Sequence, residues 1–292
     1  MKNICCIIVT YNIGKNLGAC FFSIKDQVNK VIIVDNNSNN ETKEYINFLK
    51  ENYEIEAIFN NENLGIATAL NQGVEYALEG GYDWILTMDN DSEATPKMIN
   101  SMLNVYENLS NSEKELVVGI FPKYLEKGLA DFSGVESDEK LNEYKYLISD
   151  ITSGNLLKAD VFKKVGFFDE KLFIDYVDHE FCYRINSLGL KLIKVENAKL
   201  LHSLGNTRKK KILFKEVIYT NHSPLRKYYM TRNRFYTWRE FPDLMEINKI
   251  DKVNFIKENL KILLLEKNKF KKFRMILKGY IDYKNNKFGR LT

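Results

Sequence analysis

The sequence predicts an α/β protein: a doubly wound, mostly parallel sheet flanked by helices, with a basic helical extension behind it. Three observations carry that prediction. Short, apolar, β-branched runs alternate with helical patterns at a regular spacing over residues 4–88, the rhythm of parallel strands joined by crossover helices. The first four apolar runs all lead into polar, turn-forming residues, and ligands of open α/β sheets bind at that carboxyl edge. The chain has 292 residues, 45% apolar and 28% charged, which suits one large domain, or one domain plus an extension.

Residues 4–10 form the first expected strand, since they are short, apolar and rich in β-branched side chains. A helix follows over 17–28. The second strand is 31–34, ending at Asp35 and the turn Asn36-Asn37-Ser38. Residues 42–51 read as a helix and 55–60 as a third strand. The helix over 64–79 carries Gly65, Ala67, Ala69 and Gly73, small enough for close packing. Residues 84–88 are the fourth strand, stopping at Asp89. Beyond Pro96 the pattern predicts a helix to about Leu109, a strand at 116–120, and irregular chain over 123–150. A short helix is expected over 156–165 with Gly166 just past its end. A helix over 180–188 is stopped by Gly189, and 192–195 is a strand. After His202 the pattern turns to basic, aromatic helices. Within them, 253–266 places Phe255, Ile256, Leu260, Leu263 and Leu264 near helical spacing, as in an amphipathic helix.

Charge is distributed unevenly. Residues 1–200 hold 20 Lys and Arg against 31 Asp and Glu, a net of −11, while 201–292 hold 23 against 8, a net of +15. A basic final third points to an anionic partner. The four cysteines, Cys5, Cys6, Cys20 and Cys182, include no C-x-x-C pair, which argues against zinc and against a disulfide framework and suits a reducing cytoplasm. Residues 1–10 lack the plan of a signal peptide. No apolar run approaches the roughly 18 residues of a membrane span. A Walker-type phosphate loop is absent, which counts against an NTPase.

The strand ends carry the chemistry. They read Thr10-Tyr11-Asn12, Asp35-Asn36-Asn37-Ser38, Asn61-Glu62-Asn63-Leu64-Gly65 and Asp89-Asn90-Asp91. Each alone is an ordinary turn; together they describe one nucleotide site along a sheet edge. Asp89 and Asp91 stand two apart where a buried strand stops. Two hard oxygen ligands there suit Mg²⁺ or Mn²⁺, and such an ion suits a diphosphate.

At these residues the sequence resembles the family 2 inverting glycosyltransferases of GT-A fold. The resemblance rests on Ile-Val-Thr-Tyr-Asn at the start, Val-Ile-Ile-Val-Asp-Asn-Asn-Ser, Asn-Xaa-Asn-Xaa-Gly with Asn71-Xaa-Gly73, and Met-Asp-Asn-Asp. It continues through Thr152-Ser153-Gly154-Asn155, Asp175-Tyr-Val-Asp178-His-Glu180-Phe-Cys-Tyr-Arg184, His202-Ser-Leu-Gly205 and the stretch from His222 to Asn233. That last stretch, with the DND form of the acidic motif, is most similar to bacterial rhamnosyltransferases of surface polysaccharide assembly. The resemblance covers roughly residues 3–240 and implies a Rossmann-like GT-A domain over 1–205, followed by a basic, aromatic helical region over 206–292.

The resemblance also implies roles. Asp35 corresponds to the carboxylate that accepts from a pyrimidine N3–H, with Thr10, Tyr11 and Asn12 lining the same pocket. Asn63, Gly65, Asn71, Ser153 and Gly154 fall on motif positions that bind the nucleotide sugar. Asp89 belongs beside the ribose and metal, Asp91 is the direct ligand, and His202 completes the metal set. The family's acidic-x-acidic-x-x-x-Arg pattern fits Asp178, Glu180 and Arg184, which makes Asp178 the expected base. The residue before it is Val177 where many relatives have an acid, and Asp175 is the runner-up.

Physically, an acceptor hydroxyl attacking an anomeric carbon must lose its proton to a group such as a carboxylate. Residue types alone also allow helix-start acids and a Glu180–Arg184 pair one turn apart.

The leading expectation is a metal-dependent inverting enzyme that uses dTDP-L-rhamnose and a lipid-linked glycan acceptor. It would sit in the cytoplasm, peripheral on the inner face of the cell membrane. Arg226, Lys227, Arg232, Arg234 and Arg239 alternate with Tyr228, Tyr229, Phe235, Tyr236 and Trp238, a composition expected to meet an anionic membrane surface rather than nucleic acid. Acceptor or oligomer contacts, a homodimer among them, are further expectations for this region. The alternatives are transfer of galactose, N-acetylglucosamine or galactofuranose from a UDP-sugar, and a non-catalytic nucleotide- or membrane-binding protein on the same fold.

Overall fold

Strand β1 (Ile4–Thr10) pairs in parallel with β2 (Lys30–Asp35) on one side and β4 (Trp84–Asp89) on the other, and β3 (Ile55–Phe59) extends the sheet beyond β2. All seven residues of β1 are buried, which is why the strand is a continuous apolar run without alternation. The computed structural model describes residues 2–127, 143–202, 207–212 and 215–291, with side chains in all of these except 207–212, 215–218 and 245. The chain divides into two compact units: Met1–Glu170 with Asp178–Ser203, and Lys171–Val177 with Leu204–Thr292.

In the first unit the crossovers are α1 (Leu17–Ile24), α2 (Asn40–Asn52) and α3 (Ile66–Glu79). The Asn39 side chain caps α2 by accepting from Thr42 N. Helix α3 lies close on β1: a Cβ at Gly73 would come within 2.5 Å of Ile7 Cγ2. The sheet then turns mixed. Its order is β3-β2-β1-β4-β8-β6-β9-β5, with β7 also paired to β9. Here β5 is Glu93–Ala94, β6 Val117–Glu126, β7 Tyr144–Leu147, β8 Asn155–Lys158 and β9 Lys191–His202. Strand β8 runs antiparallel to both β4 and β6. The remaining helices of this unit are α4 (Met98–Glu107), α5 (Asn111–Leu116), α6 (Val161–Val165) and α7 (Val177–Ser187). This is the mostly parallel, helix-flanked sheet that the sequence predicts.

Several elements differ from expectation. The helix expected over 156–165 is a strand, β8, followed by the single short helix α6. Leu156 and Leu157 are wholly buried, and a short apolar run does not reveal its period. Within 123–150, expected to be irregular, residues 123–126 continue β6 and 144–147 form β7; residues 128–142 lie outside the described residues. The strand expected at 192–195 is the middle of the longer β9.

The second unit contains an antiparallel hairpin, β10 (Thr207–Ile212) and β11 (Lys215–Thr220), where only helices were expected. Three helices follow: α8 (Pro224–Glu240), α9 (Met245–Leu265) and α10 (Lys269–Lys284). The basic, aromatic run read as a membrane face is instead largely the core of this unit. Lys227, Tyr228, Tyr229, Arg232, Arg234 and Tyr236 are all buried. Arg232 is satisfied by the carbonyls of Lys171, Leu172 and Gly289, and lies against the rings of Tyr228, Tyr229 and Phe288. A buried guanidinium needs that degree of pairing. Among the described residues, no helix is long and apolar enough to cross a membrane.

Candidate active site

The register of the first strands places the acidic residues. Thr10 is the Cα partner of Asp35 across β1 and β2, and Val9 is the partner of Asp89 across β1 and β4. Asp35 and Asp89 therefore flank β1 at the carboxyl edge, two strand spacings or roughly 10 Å apart. That distance spans the length between a nucleobase and its diphosphate.

At the Asp35 end the carboxylate is fully buried and already oriented. Thr10 Oγ1 donates to Asp35 Oδ1 at 3.2 Å, and Ser38 N donates to Oδ2 at 3.0 Å. Each oxygen keeps a further lone pair for a donor. Asn12 N donates to Ser38 Oγ, and Asn12 Oδ1 accepts from Asn39 N. These bonds fix the β1 and β2 turns against each other. Tyr11 is exposed beside them. Asn36 ties in the third turn: its Nδ2 donates to Gly65 O at 3.0 Å and Asn63 Oδ1 at 3.1 Å, while its Oδ1 accepts from Leu64 N. Gly65 has φ 89°, a conformation that requires glycine. Sequence reasoning treated Asn36 only as a turn residue; its signal was the Asn-Asn-Ser spacing after Asp35.

At the other end, ligand atoms of Asp89, Asp91 and His202 all lie within 4.8 Å of one another. His202 comes from the end of β9, far along the chain from β4. Behind it runs a hydrogen-bond chain: Asp89 N donates to Ser153 Oγ at 3.0 Å, Ser153 Oγ to Ser92 Oγ at 2.8 Å, and Ser92 Oγ lies 2.9 Å from His202 Nδ1. Ser92 accepts from Ser153 and, with a second lone pair, can accept from His202 Nδ1–H as well; in that tautomer Nε2 is left open as a ligand. Burial pushes the His202 imidazole below its ordinary pKa, partly offset by Asp91, so it is neutral at pH 7, the form that binds a metal. Two carboxylates and one imidazole fit a divalent ion such as Mg²⁺ or Mn²⁺. Sequence reasoning missed Ser92, which is wholly buried. Gly154 N donates to Thr87 O and thereby holds the Ser153 loop against β4.

Tyr124 links this end to the expected base. Its hydroxyl donates to the carbonyls of Ile151 and Ser153, and its ring meets that of His202 edge-on at 6.3 Å. Burial first, then Asp150, Asp89 and Asp178 among its neighbours, raise its phenol well above its ordinary value. Asp89 and Asp178 thus lie within electrostatic reach of one side chain. Asp178 is half-buried at the start of α7, and its Oδ1 accepts from His179 N at 2.8 Å.

Other expected site residues are engaged elsewhere. Arg184 forks onto Glu180, with Nε to Oε1 at 2.8 Å and Nη2 to Oε2 at 2.7 Å, and also donates to the carbonyls of Val165 and Phe167. Glu180 is buried. Through Arg184 the pair is anchored to the α6–α7 connection. Asn71 donates to Phe168 O and Glu170 Oε1 and accepts from Phe168 N, so its amide shapes that same connection. In the second unit, Asp175 is paired with Arg226. The four thiols are buried and free; burial pushes Cys5 up to about 12, which leaves it unreactive. Two open clefts of 660 and 1110 Å³ lie at the amino end of the sheet, lined by Lys2 and Trp84 and by Lys2 and Gln27, away from this chemistry.

Comparison with known proteins agrees with this geometry. The chain is 29% identical over 296 residues to the dTDP-rhamnosyl transferase RfbF of Shigella flexneri, covering 96% of this chain and 95% of that protein. Among solved structures it resembles GalNAc-T7 with UDP, GalNAc and Mn²⁺, at TM-score 0.57 and 15% identity over 86% of this chain; the chain spans 54% of that protein's length. It also resembles residues 1–349 of TarS from S. aureus, at TM-score 0.57 and 14% identity, over 97% of this chain and 81% of the other. These structural likenesses show the fold. Residues 5–166 match the family described as Glycosyl transferase family 2. That match takes in the strand ends bearing Thr10, Asp35, Asp89 and Asp91, and on it the chain belongs to glycosyl transferase family 2 and is a glycosyltransferase.

Proposed function

We propose that this enzyme is a metal-dependent, inverting transferase that moves L-rhamnose from dTDP-L-rhamnose to a lipid-linked surface glycan. The observation that carries the metal-dependent reading is the convergence of Asp89, Asp91 and His202 at the edge shared with Asp35. The donor is inferred from the relative named a dTDP-rhamnosyl transferase. Asp35 accepts the N3–H of the thymine, and the exposed ring of Tyr11 lies beside that pocket. Asp91 and His202 would hold the ion, with Asp89 beside them. A divalent ion there would supply positive charge against the leaving diphosphate.

The remaining steps belong to the chain. Asp178 takes the proton of the acceptor hydroxyl as its oxygen bonds the anomeric carbon. The bond from that carbon to the diphosphate oxygen breaks, and its electron pair leaves with the nucleotide. One displacement from the opposite face inverts the centre, and no glycosyl-enzyme bond forms.

A screen of dTDP-rhamnose against UDP-galactose, UDP-N-acetylglucosamine and UDP-galactofuranose, with nucleotide release and product followed, tests the reading. Turnover of dTDP-rhamnose alone is expected. Turnover of a UDP-sugar in its place overturns the donor, since uracil and thymine both present the N3–H to Asp35. Nucleotide and Mn²⁺ binding without transfer from any donor overturns the catalytic reading.

A further inference from the structure

Helix α9 is inverted relative to an ordinary surface helix, and this marks a face for a lipid bilayer. Two of its three acids point inward, while Glu246, in the first turn, is exposed beside Lys249. Asp251 accepts from Arg234 Nε at 3.1 Å, Trp238 Nε1 at 2.9 Å and Tyr176 Oη at 3.0 Å, and Glu258 accepts from Arg234 Nη2 at 3.0 Å. Glu266, just past the helix, is buried on Lys272 at 2.6 Å. The outward face is apolar. Val253, Ile256, Leu260, Leu263 and Leu264 are each between 49% and 66% exposed, and at 3.6 residues per turn they fall within about 100° of the helix circumference. Lys252 and Lys257 border the stripe, and Phe270, in the first turn of α10, is 94% exposed. The amphipathic pattern expected for 253–266 put Phe255 on the same face as these residues; it lies on the inner face, against Phe235 and Trp238.

We propose that this outer face of α9, with Phe270, docks on an anionic phospholipid surface. Charge selects the occupant. Residues 252–281 carry nine Lys and Arg against two acids, Glu258 and Glu266, and both acids are turned inward onto cations. A second copy would bring like charge against like charge. Nucleic acid would be met by aromatic platforms, whereas this stripe is aliphatic. Exposed leucines bordered by lysines match a headgroup layer above acyl chains, where apolar burial and attraction to anionic lipid act together. The inference rests on the membrane-held acceptor proposed above and assigns that contact to α9 in place of the buried basic residues of α8.

The test is co-sedimentation of the full chain with phosphatidylcholine vesicles, with and without phosphatidylglycerol. Binding is expected only when phosphatidylglycerol is present. The double variant L260S/L264S should weaken it by on the order of tenfold or more, and K252Q/K257Q should reduce the preference for anionic vesicles. Both pairs are exposed, and donor turnover in solution should match the unsubstituted enzyme. No vesicle binding, equal binding to neutral vesicles, or undiminished binding by L260S/L264S overturns the proposal. So does a concentration-dependent dimer that L260S/L264S abolishes, which would make the occupant a second copy. An enzyme that turns over its donor yet ignores vesicles refutes the docking face alone. One that binds vesicles but transfers nothing refutes the proposed function alone.

Discussion

Arg226 holds Asp175 by both carboxylate oxygens, with Nε at 3.0 and 3.3 Å and Nη2 at 3.0 Å from Oδ1. A carboxylate gripped in this way has its lone pairs engaged by a permanent cation and is poorly placed to take a proton. Asp178, three residues on, makes its hydrogen bond only through Oδ1, and its other oxygen has no partner among the described residues. Asp178→Asn is therefore expected to lower kcat by on the order of 10² to 10³-fold with little change in melting temperature. Asp175→Asn should lower the melting temperature while each folded molecule turns over donor within about tenfold of normal. The reverse pattern, read by steady-state kinetics and thermal unfolding together, would transfer the base to Asp175.

Ser92 orients His202 from behind. Ser92→Ala removes the hydroxyl that meets His202 Nδ1 without touching a ligand atom. Mn²⁺ affinity measured by calorimetry should fall by about tenfold or more, while nucleotide affinity without metal holds. Unchanged Mn²⁺ affinity would leave Ser92 a packing residue.

Glu180 and Arg184 are expected to support structure. Glu180→Gln keeps one oxygen acceptor for Arg184 but removes the negative charge and the second acceptor, and since Arg184 is a quarter exposed the cost should be about 2 kcal/mol. Urea unfolding should register that loss, with turnover per folded molecule within about threefold. A collapse of turnover at unchanged stability would restore a catalytic role to the pair.

His222 supplies a pH dependence. Burial, and then Arg226 and Lys227, lower its pKa from 6.5 to about 4. Between those values the unfolded chain binds a proton that the folded chain does not, so this residue's contribution to stability falls as pH drops through that window. The urea midpoint should therefore decline from pH 7 toward about pH 4.5, and His222→Asn should flatten part of that decline. An identical slope in the variant would show that His222 does not contribute.

What could be read in advance followed from local physics. Strands β1 to β4 are buried apolar runs closed by polar turns, so their period and their ends are written in the chain. Asp35 and Asp89 could be assigned to one edge because parallel strands all present their carboxyl ends there. Strand β8 was hidden because four residues carry too little period to separate strand from helix, and its antiparallel direction depends on partners distant in sequence. Ser92 was hidden because serine after Asp-Asn-Asp reads as turn; only the arrival of His202 from β9 gives it a task. The basic residues of α8 misled because composition does not say which way a side chain points. Arg232 and Arg234 look like surface charge until the carbonyls of Lys171 and Leu172, and the carboxylates of Asp251 and Glu258, are found opposite them.

Asn233 donates to three carbonyls, those of Leu172, Ile174 and Asp175, each at 2.8 Å, along a stretch where Phe173, Asp175 and Tyr176 all hold positive φ. A tail helix thus clamps the very turns that lead into Asp178. Anyone grafting this donor-binding half onto a relative's C-terminal half, to exchange acceptors, would naturally cut near residue 205. Such a chimera would separate residues 171–177 from the amide that shapes them. The exchangeable cassette is therefore discontinuous: the seven-residue segment must travel with the tail, although it lies thirty residues upstream of the obvious seam.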